Sequence, residues 1–477
     1  MKNKLDNIKT FARTKSKKFY NSIKYYPISR HIHTNFGNKE NLIKYNHSRT
    51  TGPEPCVCHA PLRSLYFDMK GNITACCFNR VHIFGKYPQK NIKEIIYNEK
   101  REFLQKELCR QNFMYGCQHC HKLIEAQNFE GVEAKLYDNL KDQGNIPSEM
   151  VFELDNTCNL ACEMCHEGFS STIAKLKGIE IPAHPYDADF LAQLKEFIPH
   201  LKIAKFLGGE PFLINIYYQI WDLILELNPN CKIHLQTNGT VFNEKIESYL
   251  RKGRFYIGVS IDSLRKENYE KIRRNANFDK VMENLYRFAE IAKQRNTFIN
   301  ISVCPMIQNW EEITEIVDFC NKNSFFVYFN TVYTPGFSLR DADEDFLLKI
   351  KDYYKNFKFY TKGIIAKRNL KFFNNLTSQI EDIYNQKEKD SRYEKKRHKW
   401  TNSMLKEFMF KKINNDKELL DKIDDVFFNL GEEYSFSDKD LENLEKLKAE
   451  DLISALKNEA LIELQERIKR FINFGRF

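Results

Sequence analysis

The chain has 477 residues, 42% of them hydrophobic, so it is long enough for about three domains that each bury a core. The sequence contains no run of about 18 or more apolar residues, which excludes a membrane-spanning helix. The formal net charge of +10 is modest for this length, and thirteen cysteines grouped at short spacings favour metal ligands in a reducing compartment over a disulfide framework. We therefore expect a cytoplasmic protein without a membrane span.

The first 50 residues form a basic segment, with twelve Lys or Arg against only Asp6 and Glu40. Such a segment can contact nucleic acid, anionic lipid or an acidic partner. It is also typical of a solvated and partly disordered leader. We interpret residues 1–50 as a leader of this kind and do not expect nucleic acid as a partner.

A cysteine-rich segment follows at residues 51–137. Two short strands are predicted at 62–67 and 72–75, and apolar residues at helical spacing predict a helix over 92–109. A hairpin and one helix are too small to be held together by apolar burial alone, so we expect a small α+β domain pinned by metal. Zinc, an iron–sulfur cluster or, from the C-x-x-C-H pattern at 117–121, haem are the alternatives. The cysteines are Cys56, Cys58, Cys76, Cys77, Cys109, Cys117 and Cys120.

Residues 148–335 alternate between β-rich apolar runs and amphipathic helical stretches, after a polar linker at 138–148. Six strands joined by helical crossovers predict a parallel sheet of the α/β class, here an incomplete (β/α)6 barrel. In such barrels the active site lies at the carboxyl ends of the strands. The predicted strands are 151–154, 203–207, 232–236, 255–261, 298–303 and 325–329.

Residues 340–477 carry charges of both signs and have apolar residues at helical spacing, which predicts a helical C-terminal domain. A polar stretch at 385–399 is expected to interrupt these helices as a hinge. We expect this domain to pack on the open side of the barrel or on a second copy of the chain. Tyr333, after the sixth strand, is interpreted as a packed aromatic residue.

Three cysteines, Cys158, Cys162 and Cys165, follow the first barrel strand at C-x3-C-x2-C spacing. A four-iron cluster is normally held by four cysteines, so three in one loop leave one iron open to a small ligand. The same cysteines together with His166 could instead form a Cys3His zinc site.

Further short motifs follow the other barrel strands. Taken singly, each has an ordinary explanation as a turn, a helix cap or a solvated charge. Their recurrence at successive strand ends favours one common site and counts against the zinc interpretation. They are Gly208-Gly209-Glu210-Pro211, Thr237-Asn238, Ser260 with Asp262, Arg273 and Val303.

These motifs resemble those of the radical S-adenosylmethionine (radical SAM) enzymes. The resemblance implies that Cys158, Cys162 and Cys165 hold a catalytic [4Fe–4S] cluster whose open iron chelates S-adenosylmethionine. Reductive cleavage then gives a 5′-deoxyadenosyl radical that abstracts hydrogen from a substrate. It also implies that Glu210 binds the methionine amino group, Arg273 the methionine carboxylate, and Ser260 and Asp262 the ribose or the methionine end. The further cofactor contacts are Met164 and Val303 at the adenine, and Gly208, Gly209, Pro211, Thr237 and Asn238.

The cysteine-rich segment resembles the auxiliary-cluster modules called SPASM and twitch domains. The residues that carry this resemblance are Cys58-His59-Ala60-Pro61, the stretch 71–76, Gly85 and Cys117-x2-Cys120. It implies that Cys58, Cys76, Cys117 and Cys120 hold an auxiliary [4Fe–4S] cluster, with Cys56 and Cys77 as alternatives at neighbouring positions. In that family the module follows the barrel, whereas here it precedes it.

The resemblance also bears on partners. Relatives with auxiliary modules often modify peptides or proteins, which favours a peptide or protein substrate, and a small-molecule or sugar-type substrate is the alternative. An electron donor such as flavodoxin or ferredoxin is implied. A zinc-stabilised nucleic-acid-binding protein is the alternative from a different class.

Overall fold

The computed structural model describes residues 39–140, 143–395, 398–413, 416, 419, 422–423, 433–436 and 447–458. The leader predicted at 1–50 and the helices predicted at 340–477 therefore lie partly outside the described residues. The described residues form two compact units, one of those up to 342 together with 350–379 and the other of 343–349 together with those from 380 onward. Across the described ranges, no helix is both long and apolar enough to cross a membrane.

The first unit is built on one sheet of nine strands. Their order across the sheet is β3-β2-β1-β4-β5-β6-β7-β8-β9, and β4 to β9 pair in parallel. This confirms the predicted six-stranded α/β sheet. The strands are β1 (Ser64–Phe67), β2 (Asn72–Thr74), β3 (Gly85–Lys86), β4 (Glu149–Phe152), β5 (Ile203–Phe206), β6 (Lys232–Thr237), β7 (Arg254–Ser260), β8 (Ile299–Val303) and β9 (Phe326–Phe329).

The cysteine-rich segment extends this sheet. Strands β1 and β2 form the predicted hairpin, with Tyr66 opposite Thr74. Strand β1 also runs parallel to β4, with Ser64 opposite Glu149. The division into a domain at 51–137 and a barrel at 148–335 stays a prediction, and its boundary does not interrupt the sheet.

Helices connect the parallel strands. The helix predicted over 92–109 is divided in two, because the Asn98 side chain accepts a hydrogen bond from the Lys100 N–H and caps a new helix. The helices of the described residues are α1 (Lys39–His47), α2 (Ala60–Arg63), α3 (Ile92–Ile96), α4 (Glu99–Cys109), α5 (Gln118–Glu125), α6 (Ser171–Leu176), α7 (Ala188–Leu194), α8 (Asn215–Leu227), α9 (Glu244–Lys252), α10 (Lys266–Ile272), α11 (Phe278–Gln294), α12 (Glu312–Asn323), α13 (Glu344–Asn356), α14 (Gly363–Lys395), α15 (Asn402–Lys412) and α16 (Ala449–Asn458).

The predicted hinge at 385–399 is wrong over residues 385–395, because α14 continues through Lys395. Polar and charged residues do not end a helix unless they cap it, and they suit an exposed helix well. A strand that was not predicted, β10 (His398–Thr401), follows and pairs antiparallel with β11 (Glu433–Phe436).

Alternation along the strands gives the sheet two different faces. The face under the helices is apolar: Phe206 stacks on Phe152 (5.2 Å) and meets Trp221 of α8 edge-on (5.6 Å). The opposite face, here called the inner face, is polar, whereas a barrel filled by its own side chains is lined with Val, Ile and Leu. Its side chains include Glu149, Lys205, His234, Gln236, Tyr256, Ser260, Asn300, Ser302 and Tyr328.

The edge strand β9 is covered by side chains from α14. Buried Asn369 accepts a hydrogen bond from the Val327 N–H (2.9 Å) and donates to the Phe325 carbonyl (2.8 Å). Arg368 donates to the Val327 carbonyl (2.8 Å). These bonds satisfy an edge that could otherwise pair with another strand.

Tyr217 of α8 fixes the two strand ends that carry the first motifs. Its hydroxyl accepts a hydrogen bond from the Leu154 N–H (3.0 Å), just beyond β4, and donates to the Leu207 carbonyl (2.6 Å), just beyond β5. The Tyr217 side chain is fully buried. One phenol thus sets the spacing of the loops that leave these strands.

We expect Tyr217→Phe to lower the free energy of unfolding by about 1–3 kcal/mol, because it leaves the buried Leu154 N–H without its acceptor. The midpoint of urea unfolding, followed by circular dichroism, measures this change. Tyr286→Phe is the matched control, since Tyr286 is 48% exposed. Equal midpoints for the two variants would contradict the role assigned to Tyr217.

Candidate active site

The cysteine loop, residues 158–165, lies along the segment that follows α10. The Ala161 N–H donates to the Arg274 carbonyl (3.0 Å), and the Glu163 N–H donates to the Ile272 carbonyl (2.9 Å). These two bonds pair the loop with residues 272–274 in antiparallel fashion. Cys162, between the two bonded loop residues, therefore lies beside Arg273.

The start of this loop is held by α6. Ser171 Oγ accepts a hydrogen bond from the Cys158 N–H (3.0 Å), and Thr172 Oγ1 donates to the Cys158 carbonyl (2.7 Å). Ser170, which caps α6, donates to the Leu160 carbonyl (2.7 Å). The helix N-terminus thus orders the loop through three hydroxyl groups.

The three loop thiols lie within electrostatic range of one another. Cys162 interacts electrostatically with both Cys158 and Cys165, and burial raises the pKa of Cys162 to about 12. Because a metal ligand has to be a thiolate, metal binding would release protons here. His166 is engaged in its own turn, where its Nδ1 accepts a hydrogen bond from the Gly168 N–H (3.1 Å). A donor set of three thiols suits an iron–sulfur cluster.

A close backbone contact brings the Gly-Gly-Glu-Pro motif against this loop. A Cβ on Gly209 would lie 2.2 Å from the Thr157 carbonyl oxygen, and one on Gly208 would lie 2.4 Å from that of Asp155. Only glycine fits at either position. The Glu210 N–H donates to the Thr157 carbonyl (2.7 Å), so Glu210 lies directly beside the stretch that leads into the cysteine loop.

The Glu210 carboxylate is fully buried and accepts three hydrogen bonds. They come from Thr237 Oγ1 (2.8 Å), the Asn238 N–H (2.7 Å) and the Phe212 N–H (3.1 Å). Burial raises the pKa of Glu210 to about 7, although these bonds oppose the shift. Asn238 Nδ2 also lies 3.9 Å from Cys158 Sγ, which links this carboxylate to the first loop cysteine.

Asp262 and Arg273 form a buried ion pair at the end of β7. Arg273 Nη2 lies 2.8 Å from Asp262 Oδ2, and Arg273 Nη1 lies 3.8 Å from Cys162 Sγ. Burial raises the pKa of Asp262, and the Arg273 charge opposes that shift. A buried ion pair adds little to stability but can orient a ligand.

The remaining residues predicted to contact S-adenosylmethionine lie in several different places. Met164 packs on the buried apolar cluster that includes Met306. Ser260 lies on the inner face, where its hydroxyl accepts a hydrogen bond from Gln236 (2.7 Å). Pro211 begins a short 3-10 helix. Val303 is fully buried, and strand alternation puts it on the helix-covered face, so it does not join the others.

Sequence reasoning missed two residues of this site. The Cys304 N–H donates to Asp262 Oδ1 (2.7 Å), and its thiol interacts electrostatically with Cys162 and Cys165. Asn309 donates to the carbonyls of Asp262 (2.7 Å) and Cys304 (3.0 Å). Side chains alternate between the two faces along β8. Because Ser302 lies on the inner face, this alternation, continued past the end of the strand, predicts that Cys304 lies there as well.

The four predicted auxiliary ligands come together in the cysteine-rich segment. Cys58, Cys76, Cys117 and Cys120 line one pocket with an empty volume of about 480 Å³, part of it open to solvent. Cys120 interacts electrostatically with the other three. Throughout the described residues, no three His, Cys, Asp or Glu side chains converge tightly enough to hold a single metal ion. The four-thiol set fits a four-iron cluster.

The two alternative cysteines point elsewhere. Cys56 forms a disulfide with Cys109, a pairing that the sequence analysis did not predict, and this removes Cys56 as a free ligand. Cys77 interacts electrostatically with Glu133 and Lys205 of the inner-face region. Of the adjacent pair in the turn after β2, Cys76 lines the pocket, whereas Cys77 lies outside its lining.

Glu133 connects the pocket with the inner face. It lines the pocket, and its Oε1 accepts a hydrogen bond from the Tyr328 hydroxyl on β9 (3.3 Å). Burial raises the pKa of Glu133, and Lys205 opposes that shift. The two cysteine sites therefore border one polar region.

Comparison with known proteins identifies the central region. Residues 153–320 match the family model described as the radical SAM superfamily. A probable GTP 3′,8-cyclase of Archaeoglobus fulgidus is 26% identical over 38% of this chain and 58% of its own length. A cysteine-type anaerobic sulfatase-maturating enzyme of Clostridium novyi is 29% identical over 36% of this chain and 49% of its own length. The chain thus spans less than two thirds of either relative.

A solved structure described as native anSMEcpe with bound AdoMet is 22% identical, with a TM-score of 0.34 over 44% of this chain and 60% of that chain. The family match includes the cysteine loop and the strand-end motifs from Gly208 to Val303. Residues 153–320 are a radical SAM domain.

Proposed function

We propose that the chain is a radical SAM enzyme that acts on a peptide or protein. The observation that carries this proposal is the convergence of three cysteine thiols, the Glu210 carboxylate and the Asp262–Arg273 pair at neighbouring strand ends. A [4Fe–4S] cluster with S-adenosylmethionine, when bound, supplies a 5′-deoxyadenosyl radical that abstracts hydrogen from the substrate.

The residues of this chain bind and orient that cofactor pair. Cys158, Cys162 and Cys165 would hold the cluster. Glu210 would accept hydrogen bonds from the methionine amino group, and Arg273 would meet the methionine carboxylate in a charge-assisted contact. Further proposed cofactor contacts are Met164, Gly208, Gly209, Pro211, Thr237, Asn238, Ser260 and Asp262; Val303, which faces the helices, is left out of this set.

We propose that Cys58, Cys76, Cys117 and Cys120 hold an auxiliary [4Fe–4S] cluster. Their shared pocket supports this ligand set. The disulfide of Cys56 and the position of Cys77 outside the pocket lining favour it over the neighbouring alternatives. An electron donor such as flavodoxin or ferredoxin and a cytoplasmic location belong to the same proposal.

The peptide or protein substrate rests on two observations. One is the similarity to a sulfatase-maturating enzyme over 192 residues. The other is the polar inner face, where Ser302 donates a hydrogen bond to Gln236 (2.7 Å) and Gln236 donates one to Ser260 (2.7 Å); hydroxyl and amide groups of this kind can also bond a peptide backbone. Formation of 5′-deoxyadenosine, measured with the protein fraction and the dialysable fraction of a cell lysate, tests this. Faster formation with the dialysable fraction alone would contradict a protein substrate.

Metal analysis distinguishes the cysteine sets. We expect about eight irons per chain after anaerobic reconstitution, and about four in a Cys158→Ala/Cys162→Ala/Cys165→Ala variant and in a Cys76→Ala/Cys120→Ala variant. Cys77→Ala is the matched control and should keep about eight irons.

The electron paramagnetic resonance signal of the reduced protein should shift when S-adenosylmethionine is added. The same shift should occur in the Cys76→Ala/Cys120→Ala variant, which keeps the cysteine loop. Bound zinc with no paramagnetic signal would overturn the proposed function.

S-adenosylmethionine affinity tests Glu210. Losing a charge-assisted hydrogen bond costs about 1.5–3 kcal/mol, so Glu210→Gln should weaken binding roughly 10- to 100-fold. Because the pKa of Glu210 is about 7, its carboxylate is mostly protonated at pH 6 and mostly ionised at pH 8, so wild-type affinity should fall as the pH is lowered. The variant should lack this dependence.

Equilibrium dialysis with labelled S-adenosylmethionine and reconstituted protein measures both effects. Glu290→Gln, which changes an exposed carboxylate of α11, is the control and should leave affinity unchanged. An unchanged affinity in Glu210→Gln would remove Glu210 from the proposed cofactor site.

A further inference from the structure

An exposed aromatic pair borders the auxiliary pocket. The Phe78 ring stacks on the His119 ring with centroids 4.2 Å apart and planes 4° from parallel. Phe78 remains 41% exposed, and both residues line the pocket that contains the four cysteines. A single exposed ring is ordinary on a protein surface, but this one borders a pocket lined by four cysteines.

A second exposed aromatic residue lies on the barrel side. The Arg340 guanidinium carbon lies 5.7 Å from the centre of the Tyr333 ring, and Tyr333 is 64% exposed. The sequence-based interpretation of Tyr333 as a packed residue is therefore wrong. The neighbouring Thr334 donates a hydrogen bond to the Met164 carbonyl in the cysteine loop (2.7 Å), which ties this stretch to the candidate active site.

Two cations join these aromatic groups into one surface. Lys122 and Arg340 both lie within electrostatic range of His119. Neither forms an ion pair with any residue in the part of the chain that the structure describes. Asp341, the acidic neighbour of Arg340, accepts a hydrogen bond from the Gly336 N–H (2.7 Å) instead. The surface thus combines available positive charge with open aromatic rings.

The exposed rings and the two cations indicate which chemical groups a partner would present. Carboxylates would neutralise the two cations, and apolar or aromatic side chains would cover the rings. A nucleic acid could use the same charges and stack on the same rings. The surface borders both cysteine sites, which a substrate of the proposed radical enzyme must approach, so the peptide is the occupant that the position favours.

We propose that Phe78, His119, Lys122, Tyr333 and Arg340 form a docking surface, here called the mouth patch, for an acidic peptide segment with aromatic residues in the substrate. This inference rests on the proposed function, because it assigns part of that substrate. The patch would hold the segment outside the inner face and guide the residue to be modified toward the cysteine loop.

Fluorescence anisotropy with the reconstituted full chain and S-adenosylmethionine tests this. The probes are labelled synthetic peptides of equal length, one with a Glu-Glu-Phe repeat and one with a Lys-Lys-Phe repeat. We expect the acidic peptide to bind more tightly and to lose affinity as salt is added, because the contacts are exposed charges. Equal binding of the two peptides would overturn the proposal.

Charge reversal locates the contact. Lys122→Glu with Arg340→Glu should weaken binding of the acidic peptide about tenfold or more. Lys252→Glu with Lys293→Glu makes the same change of charge on exposed residues of α9 and α11 and should leave binding unchanged. Equal losses in the two double variants would show that only net charge matters and would overturn the mouth patch.

The aromatic part needs its own variants. Tyr333→Ala should weaken binding, whereas Tyr333→Phe should preserve it, because the ring supplies the contact. Oligothymidylate of matched charge is the competing probe. Tighter binding of that oligonucleotide, lost in the Lys122→Glu/Arg340→Glu variant, would assign the patch to nucleic acid and overturn the peptide proposal.

Formation of 5′-deoxyadenosine without peptide separates this inference from the proposed function. Normal formation in the Lys122→Glu/Arg340→Glu variant together with lost peptide binding would support the mouth patch. Normal formation with unchanged peptide binding would overturn the patch and leave the radical function standing. Absence of formation in the wild type would overturn the function, whatever the peptides do.

Discussion

The backbone contact between Gly208–Gly209 and the stretch before the cysteine loop is the constraint on which the site depends. A single Cβ at Gly209 would overlap the Thr157 carbonyl oxygen at 2.2 Å, so the two loops would have to separate. Glu210 follows immediately, and its N–H bonds to the same carbonyl. Tyr217 holds the strands beneath at fixed spacing. The position of the buried carboxylate relative to the cysteine loop is therefore set by backbone packing, which is stiffer than any side-chain contact.

This rigid backbone packing allows the site to keep ionisable side chains buried, although burial of a charge is unfavourable. Glu210 is fully buried with only hydrogen-bond donors around its oxygens, and the pKa near 7 reflects that cost. Asp262 and Arg273 offset their burial by pairing. A fold selected for stability alone would replace such groups with apolar residues. Ionisable groups with shifted pKa values that lie together at strand ends instead indicate a site that binds a charged ligand.

The sequence was sufficient for the parallel sheet and the hairpin, because the alternation of strands and helices and the turn between β1 and β2 are visible in local patterns. It was not sufficient for the pairing of β1 with β4, since Ser64 and Glu149 are far apart in sequence and edge pairing has no local signal. The disulfide of Cys56 was missed for the same reason. Cys304 was missed although its alternation was visible, because no motif marks it. The unbroken α14 shows that polarity alone does not end a helix.

Because β1 joins the sheet beside β4, the two cysteine sites belong to one framework. Cys58 precedes the amino end of β1, and Cys158 follows the carboxyl end of β4. The polar inner face fills the space between, and Glu133 borders both the pocket and Tyr328. Although the cysteine-rich segment precedes the barrel in sequence, the pairing of β1 with β4 makes it part of the same sheet, so strand hydrogen bonds fix its position beside the barrel strands.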